Sequence, residues 1–200
     1  MSKQPIDFYF DFSSPYGYFA AHKIEDIASR HGRSVTWRPI LLGAVFKVSG
    51  QQPLSTIPLK GDYMSRDLGR TARLLGLPFQ LPTKFPIAST APSRAFYAVS
   101  DEDPALAKRL ALALYDTYFT QDRDISAPDV TLDVAATLGI DRSKLERQIN
   151  DQAVKDRLRR EVESAISRGV FGSPYIVIDG EPFWGSDRLD QVEKWLARPW

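Results

Sequence analysis

Strand-like segments lie only near the two ends of this chain. Near the N-terminus, Ile6–Phe12 is short and rich in aromatic residues, and Val35–Ile40 is a second such segment. Near the C-terminus, Tyr175–Ile178 and Phe183–Trp184 flank Asp179-Gly180, a dipeptide typical of a tight hairpin turn. The long middle of the chain is helical in pattern. We therefore predict an α/β protein with the order β-α-β, helical insertion, β-β-α, in which the inserted helices pack on the β-containing ends.

The middle of the chain carries apolar residues at helical spacing. These series predict four or more helices between residues 62 and 168. Two proline-containing stretches, 50–61 and 77–92, are predicted to be loops. A helix is also predicted from Tyr16 to about His31, because a glycine follows it, and a closing helix from Leu189 to Leu196. We expect three parts: the N-terminal part of an α/β domain (1–42), a helical insertion domain (43–168) and the C-terminal part of the α/β domain (169–200).

Composition and charge exclude several classes of function. The chain has 200 residues, 43% of them hydrophobic, with 26 basic and 25 acidic side chains and a net charge of +1. This balance gives no long-range attraction to nucleic acid or to an anionic membrane. The absence of cysteine excludes disulfides, thiolate metal ligands and dithiol–disulfide oxidoreductase activity, and two histidines are too few for a zinc site without carboxylates. We predict no metal site, and we expect any sulfur chemistry to use the sulfur of another molecule.

The N-terminus lacks the features of a targeting segment. Met1–Pro5 leads directly into the first predicted strand, without the basic opening and the long apolar stretch of a secretory signal. No apolar run approaches the ~20 residues that a membrane-spanning helix needs. We therefore expect a cytoplasmic protein with no membrane partner.

The tetrapeptide Ser13-Ser14-Pro15-Tyr16 joins the first predicted strand to the first predicted helix. Ser14 is placed to cap the helix, and Pro15 is typical of the first helical position. Free N–H groups at a helix start favour negative charge, and a serine hydroxyl there can donate a hydrogen bond to an anion. This predicts an anion-binding or catalytic position. The alternative is that Ser14 only caps the helix.

Two C-terminal segments also combine unusual residues with exposed positions. In Gly172-Ser173-Pro174-Tyr175 a Ser-Pro step opens a strand, which on its own is compatible with an ordinary trans proline. In Trp184-Gly185-Ser186-Asp187-Arg188, Ser186 or Asp187 is predicted to cap the last helix. Backbone amides there could bind a carboxylate, and Asp187 could pair with an ammonium group. The alternative is again a simple capping motif.

These segments carry a resemblance to a known family. In order and over nearly the full length, the sequence resembles the 2-hydroxychromene-2-carboxylate isomerase family, which is related to the kappa-class glutathione transferases in the DsbA-like thioredoxin superfamily. The resemblance implies a thioredoxin-like fold interrupted by helices, a cis Ser173-Pro174 peptide, glutathione as cofactor and a homodimer. The matching segments are residues 7–16, 60–64, 85–86, 171–174 and 183–188.

The resemblance also implies roles for individual residues. Ser14 would be catalytic, donating a hydrogen bond that holds the glutathione sulfur as thiolate. The thiolate would add reversibly to 2-hydroxychromene-2-carboxylate, giving trans-o-hydroxybenzylidenepyruvate in the degradation of aromatic hydrocarbons, with glutathione regenerated. The implied glutathione-binding residues are Ser14, Ser173, Pro174, Trp184, Gly185, Ser186, Asp187 and Lys60. The implied residues for the aromatic carboxylate substrate are Tyr16, Val45, Phe46, Lys47, Tyr63 and Phe85, although such aromatics also serve as core and such lysines as solvated surface.

One position departs from the family pattern, and two other functions stay open. Phe85-Pro86-Ile87-Ala88 has alanine where the family often has asparagine, which affects the substrate more than the glutathione site. His22 and His31 are predicted to have a structural role or to complement a helix dipole. A kappa-like glutathione transferase would use the same serine and pocket but release the conjugate. The other alternative is a non-catalytic thioredoxin-like binding module.

Overall fold

A four-stranded sheet combines strands from both ends of the chain. In the computed structural model, which describes residues 4–200, β1 (Ile6–Phe10) lies parallel to β2 (Val35–Pro39) and antiparallel to β3 (Tyr175–Ile178). The strand β4 (Glu181–Trp184) pairs antiparallel with β3, so the order is β2-β1-β3-β4. The predicted topology is confirmed. The expectation about the N-terminus rests in part on Met1–Lys3, which lie outside the described residues.

The hairpin between β3 and β4 follows from its turn residues. Asp179 and Gly180 both adopt positive φ angles, 52° and 95°, as a two-residue turn that matches the twist of the strands requires. Tyr175 therefore pairs with Trp184 across the hairpin. This register places the indole of Trp184 at the beginning of β3, next to the Ser-Pro step.

The first predicted helix is interrupted. The prediction of one helix from Tyr16 to His31 is wrong, because α1 (Pro15–Ala21) ends before α2 (Ile24–Arg30) begins. Between them His22 lies 3.0 Å from the Asp116 carboxylate and Lys23 donates to the carbonyl of Leu75. These tertiary contacts turn the chain at a point where its local sequence favours continuous helix.

Seven helices separate β2 from β3, and one follows β4. Their order confirms the predicted helical insertion. The two loops are shorter than the predicted stretches 50–61 and 77–92, because residues 54–56 form a 3-10 turn and Lys60 begins a helix. Pro92 lies in the first turn of a further helix, where its missing N–H costs nothing. No helix within residues 4–200 is long and apolar enough to cross a membrane. In the same range no three His, Asp or Glu side chains cluster as a metal site. The helices are α3 (Leu42–Ser49), α4 (Lys60–Leu75), α5 (Thr90–Ser100), α6 (Pro104–Gln121), α7 (Pro128–Thr137), α8 (Arg142–Asn150), α9 (Gln152–Ser167) and α10 (Leu189–Ala197).

An aromatic cluster holds the end of β1 in place. Phe10 is fully buried, and its ring centroid lies 5.4 Å from that of Trp37 and 5.8 Å from that of Tyr115 on α6. Phe12 packs on the same tyrosine at 5.3 Å. Each buried aromatic side chain contributes roughly 1.5–3 kcal/mol. The cluster therefore fixes the backbone from which the next residues, 11–14, leave the sheet.

Candidate active site

Ser14 lies at the junction of β1 and α1. It is the N-cap of α1, with Pro15 in the first helical position, and its Oγ accepts a hydrogen bond from the N–H of Gly17 at 3.0 Å. The same Oγ donates to the carbonyl oxygen of Ser173, also at 3.0 Å. The side chain is 5% exposed. Ser14 is therefore a cap, as the sequence predicts, and its one hydroxyl proton points at the segment that begins β3.

The Ser173-Pro174 peptide is cis, as the family resemblance implies. Ser173 is buried, and its Oγ accepts a hydrogen bond from the backbone N–H of Asp11 at 2.9 Å. The Pro174 carbonyl accepts from the N–H of Gly185 at 3.1 Å. The Ser-Pro step thus joins the loop after β1 to the segment after β4.

Trp184 and Gly172 fit closely together. The indole lies over Gly172, where an added Cβ would collide with Nε1, and its ring centroid lies 4.9 Å from that of Phe171. Trp184 remains half-exposed. Glycine at 172 is therefore required for the indole to form a wall beside the Ser-Pro step.

The segment after Trp184 does not cap α10 with a side chain. Gly185 has φ 111°, residues 186–188 form a 3-10 turn, and Arg188 stands at the N-cap without a side-chain bond. The prediction that Ser186 or Asp187 caps the last helix is wrong, because the extra turn moves the start of α10 to Leu189. Asp187 instead stays exposed, 3.6 Å from the guanidinium of Arg188.

Tyr16 connects α1 with α4 and was predicted only as a substrate contact. Its hydroxyl donates to Oδ2 of Asp67 at 3.0 Å. Burial raises the pKa of Tyr16, and the hydrogen bond to Asp67 and the charges of Asp67 and Asp187 add to the increase. Tyr16 therefore lies close to two carboxylates, one on α4 and one after Gly185. Sequence reasoning missed Asp67, since nothing local marks a residue in the middle of a helix.

The predicted substrate residues lie on three helices, α1, α3 and α4, and in the loop that contains Phe85. In α3, Val45 is 1% exposed and packs in the core, Phe46 is partly buried and Lys47 is exposed. In α4, Lys60 is exposed at the first position, and Tyr63 is 60% exposed, with the Arg70 guanidinium 5.7 Å from its ring. Among residues 4–200 neither lysine forms an ion pair. Their contact with a substrate stays a prediction.

Phe85 lines a groove of about 450 Å³. The groove lies between the start of α4 and residues 81–85, and Met64 and Leu81 also line it. The Phe85-Pro86 peptide is cis, which the sequence analysis did not predict. Just beyond it, the N–H of Ile87 donates to Oγ of Ser13 at 3.0 Å. This segment therefore contacts the loop that presents Ser14, although Ala88 itself is exposed.

Asp11 is a buried carboxylate that sequence reasoning missed. It is 2% exposed, and its oxygens accept from the backbone N–H groups of Ser13 at 2.7 Å and Leu42 at 2.6 Å. Burial raises the pKa of Asp11 from 3.8 to about 6, although hydrogen bonds from Leu42, Ser13 and the Ser89 side chain oppose the increase. The available signal was an acidic residue at the end of an aromatic strand.

The buried charge of Asp11 predicts a dependence of stability on pH. Because the folded state binds this proton more tightly than the unfolded state, the contribution is fully present below pH 3.8 and is lost as the pH rises through about 6. Lowering the pH from 7 to 5 therefore increases the free energy of unfolding by about 1 kcal/mol through Asp11. We expect Asp11→Asn to lack this increment in urea unfolding at the two pH values. Equal pH dependence of variant and wild type would contradict the assignment.

Comparisons with known proteins agree with this geometry. A family model described as the DSBA-like thioredoxin domain matches residues 5–197. The chain is 32% identical over 193 residues to a 2-hydroxychromene-2-carboxylate isomerase of Sphingobium xenophagum, covering 96% of this chain and 97% of that protein. It is 29% identical over 211 residues to glutathione S-transferase kappa 2 of Caenorhabditis elegans, covering 99% and 94%.

A solved structure shows the same likeness. The structure of the selenomethionine form of a 2-hydroxychromene-2-carboxylate isomerase superimposes with a TM-score of 0.86 at 30% identity, covering 98% of this chain and 95% of that one. Likeness of this extent to the isomerases supports an enzyme of the isomerase type. The protein belongs to the DsbA-like thioredoxin family and, within it, to the group of the 2-hydroxychromene-2-carboxylate isomerases and their kappa-class transferase relatives.

Proposed function

We propose that the protein is a glutathione-dependent isomerase that interconverts 2-hydroxychromene-2-carboxylate and trans-o-hydroxybenzylidenepyruvate. The observation that carries the proposal is the buried Ser14 hydroxyl, which faces the cis Ser173-Pro174 peptide in a chain without cysteine. Relatives named as isomerases and as glutathione transferases support both the reaction and the cofactor.

The residues around Ser14 fit the chemistry of glutathione, which has two carboxylates, one ammonium group and a thiol. Asp187 offers an exposed carboxylate to the ammonium group, and Lys60 offers an exposed ammonium to a carboxylate. The backbone of Ser173 faces the Ser14 hydroxyl, and the indole of Trp184 lies over Gly172, next to the Ser-Pro step. When bound, glutathione would supply the thiolate that adds to the substrate, and glutathione would be released unchanged at the end of the reaction.

Ser14 holds the thiol in its reactive form. Its Oγ–H, which points at the Ser173 carbonyl, turns toward the sulfur and makes a charge-assisted bond worth roughly 1.5–3 kcal/mol. Lowering a thiol pKa from ~8.5 to about 7 requires roughly 2 kcal/mol, so this one bond is sufficient. The Gly17 N–H, which already donates to Oγ, strengthens the donor by polarising the hydroxyl.

The substrate requires a cation and an apolar surface. Lys47 supplies an ammonium group for its carboxylate, while Tyr16, Phe46, Tyr63 and Phe85 supply aromatic surface for its ring. We also propose that the protein is a cytoplasmic homodimer, and sedimentation analysis tests the dimer. We further propose that the chain is divided into the N-terminal part of the α/β domain (1–42), a helical insertion domain (43–168) and the C-terminal part of the α/β domain (169–200).

A kappa-like transferase is the second candidate, favoured by the 29% identity to a kappa-class protein. The two reactions differ in stoichiometry: an isomerase uses glutathione catalytically, whereas a transferase consumes one molecule per turnover. We expect substoichiometric glutathione to convert 2-hydroxychromene-2-carboxylate to equilibrium. Consumption of one glutathione per product would instead identify a transferase. Absence of both glutathione binding and turnover would leave the non-catalytic binding module.

Asp187 gives a specific prediction for cofactor affinity. Asp187→Asn removes the charge that pairs with the ammonium group, so we expect the dissociation constant for glutathione to rise about 10-fold or more. The matched control is Asp190→Asn, which removes another exposed carboxylate three residues later, in the first turn of α10. Calorimetric titration measures both. Equal affinities of the two variants would exclude this role of Asp187.

A further inference from the structure

We propose that Asp11 is a positioning residue, whose carboxylate fixes the Ser14 loop against α3 and thereby controls the rate of the reaction. The inference rests on the proposed function for its catalytic consequence. No role in binding glutathione or substrate is assigned to Asp11, because its side chain is almost completely buried beneath the loop.

The two oxygens of the carboxylate bind two different segments. Oδ1 accepts from the N–H of Ser13, in the loop itself, and Oδ2 accepts from the N–H of Leu42, the first residue of α3. Leu41 is the N-cap of α3 and has no side chain able to cap it. Asp11 therefore caps α3 from outside, and it holds the helix that carries Phe46 and Lys47 beside the loop that carries Ser14.

The backbone of Asp11 extends the connection to the Ser-Pro step. Its N–H donates to Oγ of Ser173, and its carbonyl accepts from the N–H of Ser14 and from the hydroxyl of Tyr115, each at 2.9 Å. Asp11 is thus hydrogen-bonded to the Ser14 loop, to Ser173, to the start of α3 and to α6. A small displacement of Asp11 would change the distance between the sulfur position and the predicted substrate residues.

Within residues 4–200 no cation acts on the carboxylate of Asp11. The groups that face it are the hydroxyl of Ser89 from α5 and the phenols of Tyr115 and Tyr118 from α6. Its charge raises the pKa of both tyrosines, and burial raises its own. Ionisation of Asp11 therefore disfavours folding. However, only the ionised carboxylate has two unprotonated oxygens, so that each can accept from one of the two N–H groups. A protonated carboxyl or an asparagine of the same shape retains one acceptor oxygen and replaces the other by a donor.

Three variants test this role in the full-length protein. Asp11→Asn removes the charge and one acceptor, Ser89→Ala removes a hydrogen bond that lowers the pKa of Asp11, and Ser93→Ala is the matched control. Ser93 is a buried serine one turn further along α5, and its hydroxyl has no partner among the described residues. The readouts are kcat and KM for glutathione against pH, and hydrogen exchange of the Leu42 amide by NMR.

We expect wild-type kcat to fall on the acid side in two steps, one as the bound thiol is protonated at about pH 7 and one, with a midpoint at about pH 6, as Asp11 is protonated. Ser89→Ala should move that midpoint to higher pH, whereas Ser93→Ala should leave it in place. Asp11→Asn should lower kcat at neutral pH by about 10- to 100-fold with KM for glutathione little changed, as expected when reacting groups are misplaced. It should also remove the step at about pH 6 while leaving the step that belongs to the thiol, and it should speed exchange of the Leu42 amide.

Two results would overturn the proposal: an Asp11→Asn variant with wild-type kcat, or one whose Leu42 amide is as protected as in the wild type. Loss of turnover with unchanged pH dependence in Ser89→Ala would also count against it. If the wild type itself shows no glutathione-dependent turnover, the proposed function fails instead. In that case, hydrogen exchange of the Leu42 amide, measured below and above pH 6, still tests whether the Asp11 carboxylate holds the start of α3.

Discussion

Ser14→Ala is expected to reduce kcat/KM for isomerisation by about 100- to 1000-fold, as does loss of a single donor to a developing or bound anion in other enzymes. The physical reason is that Oγ supplies the hydroxyl proton that points from the start of α1 at the Ser173 carbonyl. Without it, the pKa of the bound thiol should return toward ~8.5. Steady-state kinetics and the ultraviolet absorbance of the bound thiolate, titrated with pH, measure the two effects.

A variant at a second helix N-cap distinguishes the effect on catalysis from a loss of stability. Asp141 caps α8 by accepting from the N–H of Lys144 at 2.9 Å, far from the Ser-Pro step in sequence and on an exposed surface. Both Ser14→Ala and Asp141→Ala should lower the free energy of unfolding by about 1 kcal/mol. Only the first should change kcat/KM and the thiol pKa. A Ser14→Ala variant with near wild-type values of both would refute the assigned role.

Gly17→Ala is expected to destabilise the protein by about 2 kcal/mol, which lowers the melting temperature by about 4–8 °C for a chain of this size. An added Cβ would lie 2.6 Å from the hydroxyl of Tyr115 and 2.8 Å from Oγ of Ser173. Both hydroxyls are held by hydrogen bonds to Asp11, so neither can move away without loss. We therefore also expect weaker glutathione binding.

Gly69→Ala provides the matched control. Gly69 also lies inside a helix, but its nearest contact would be the flexible guanidinium of Arg73 at 3.5 Å. In an unobstructed helix, replacing glycine with alanine stabilises by about 1 kcal/mol. Thermal unfolding should therefore give changes of opposite sign for the two variants. A stabilising effect of Gly17→Ala would mean that the space around it is larger than the structure shows.

Features that depend on adjacent residues were predictable from the sequence. Ser14 and Pro15 form a helix start in four residues, and Asp179-Gly180 forms a turn in two, so the chemistry of each is local. The order of strands and helices followed from hydrophobic periodicity for the same reason. The family resemblance added the cis peptide before Pro174, which periodicity could not predict.

Features that depend on distant residues were not predictable in this way. The break after Ala21 results from contacts with Asp116 and Leu75, and the role of Asp67 results from the packing of α4 on α1. Asp11 was read as part of a strand, because its partner Leu42 is 31 positions away. In each case a side chain acts through a partner that local sequence does not identify.

The bond between Ser14 and Ser173 joins residues 159 positions apart, across the central strands of the sheet. Contacts of such high sequence separation form late and slowly in folding. On the ribosome, the loop after β1 therefore emerges long before its partner, and the Ser14 hydroxyl has no binding pocket until the β3–β4 hairpin has been synthesised. We therefore expect a chain that ends before Ser173 to lack glutathione-dependent turnover, however well its helices fold.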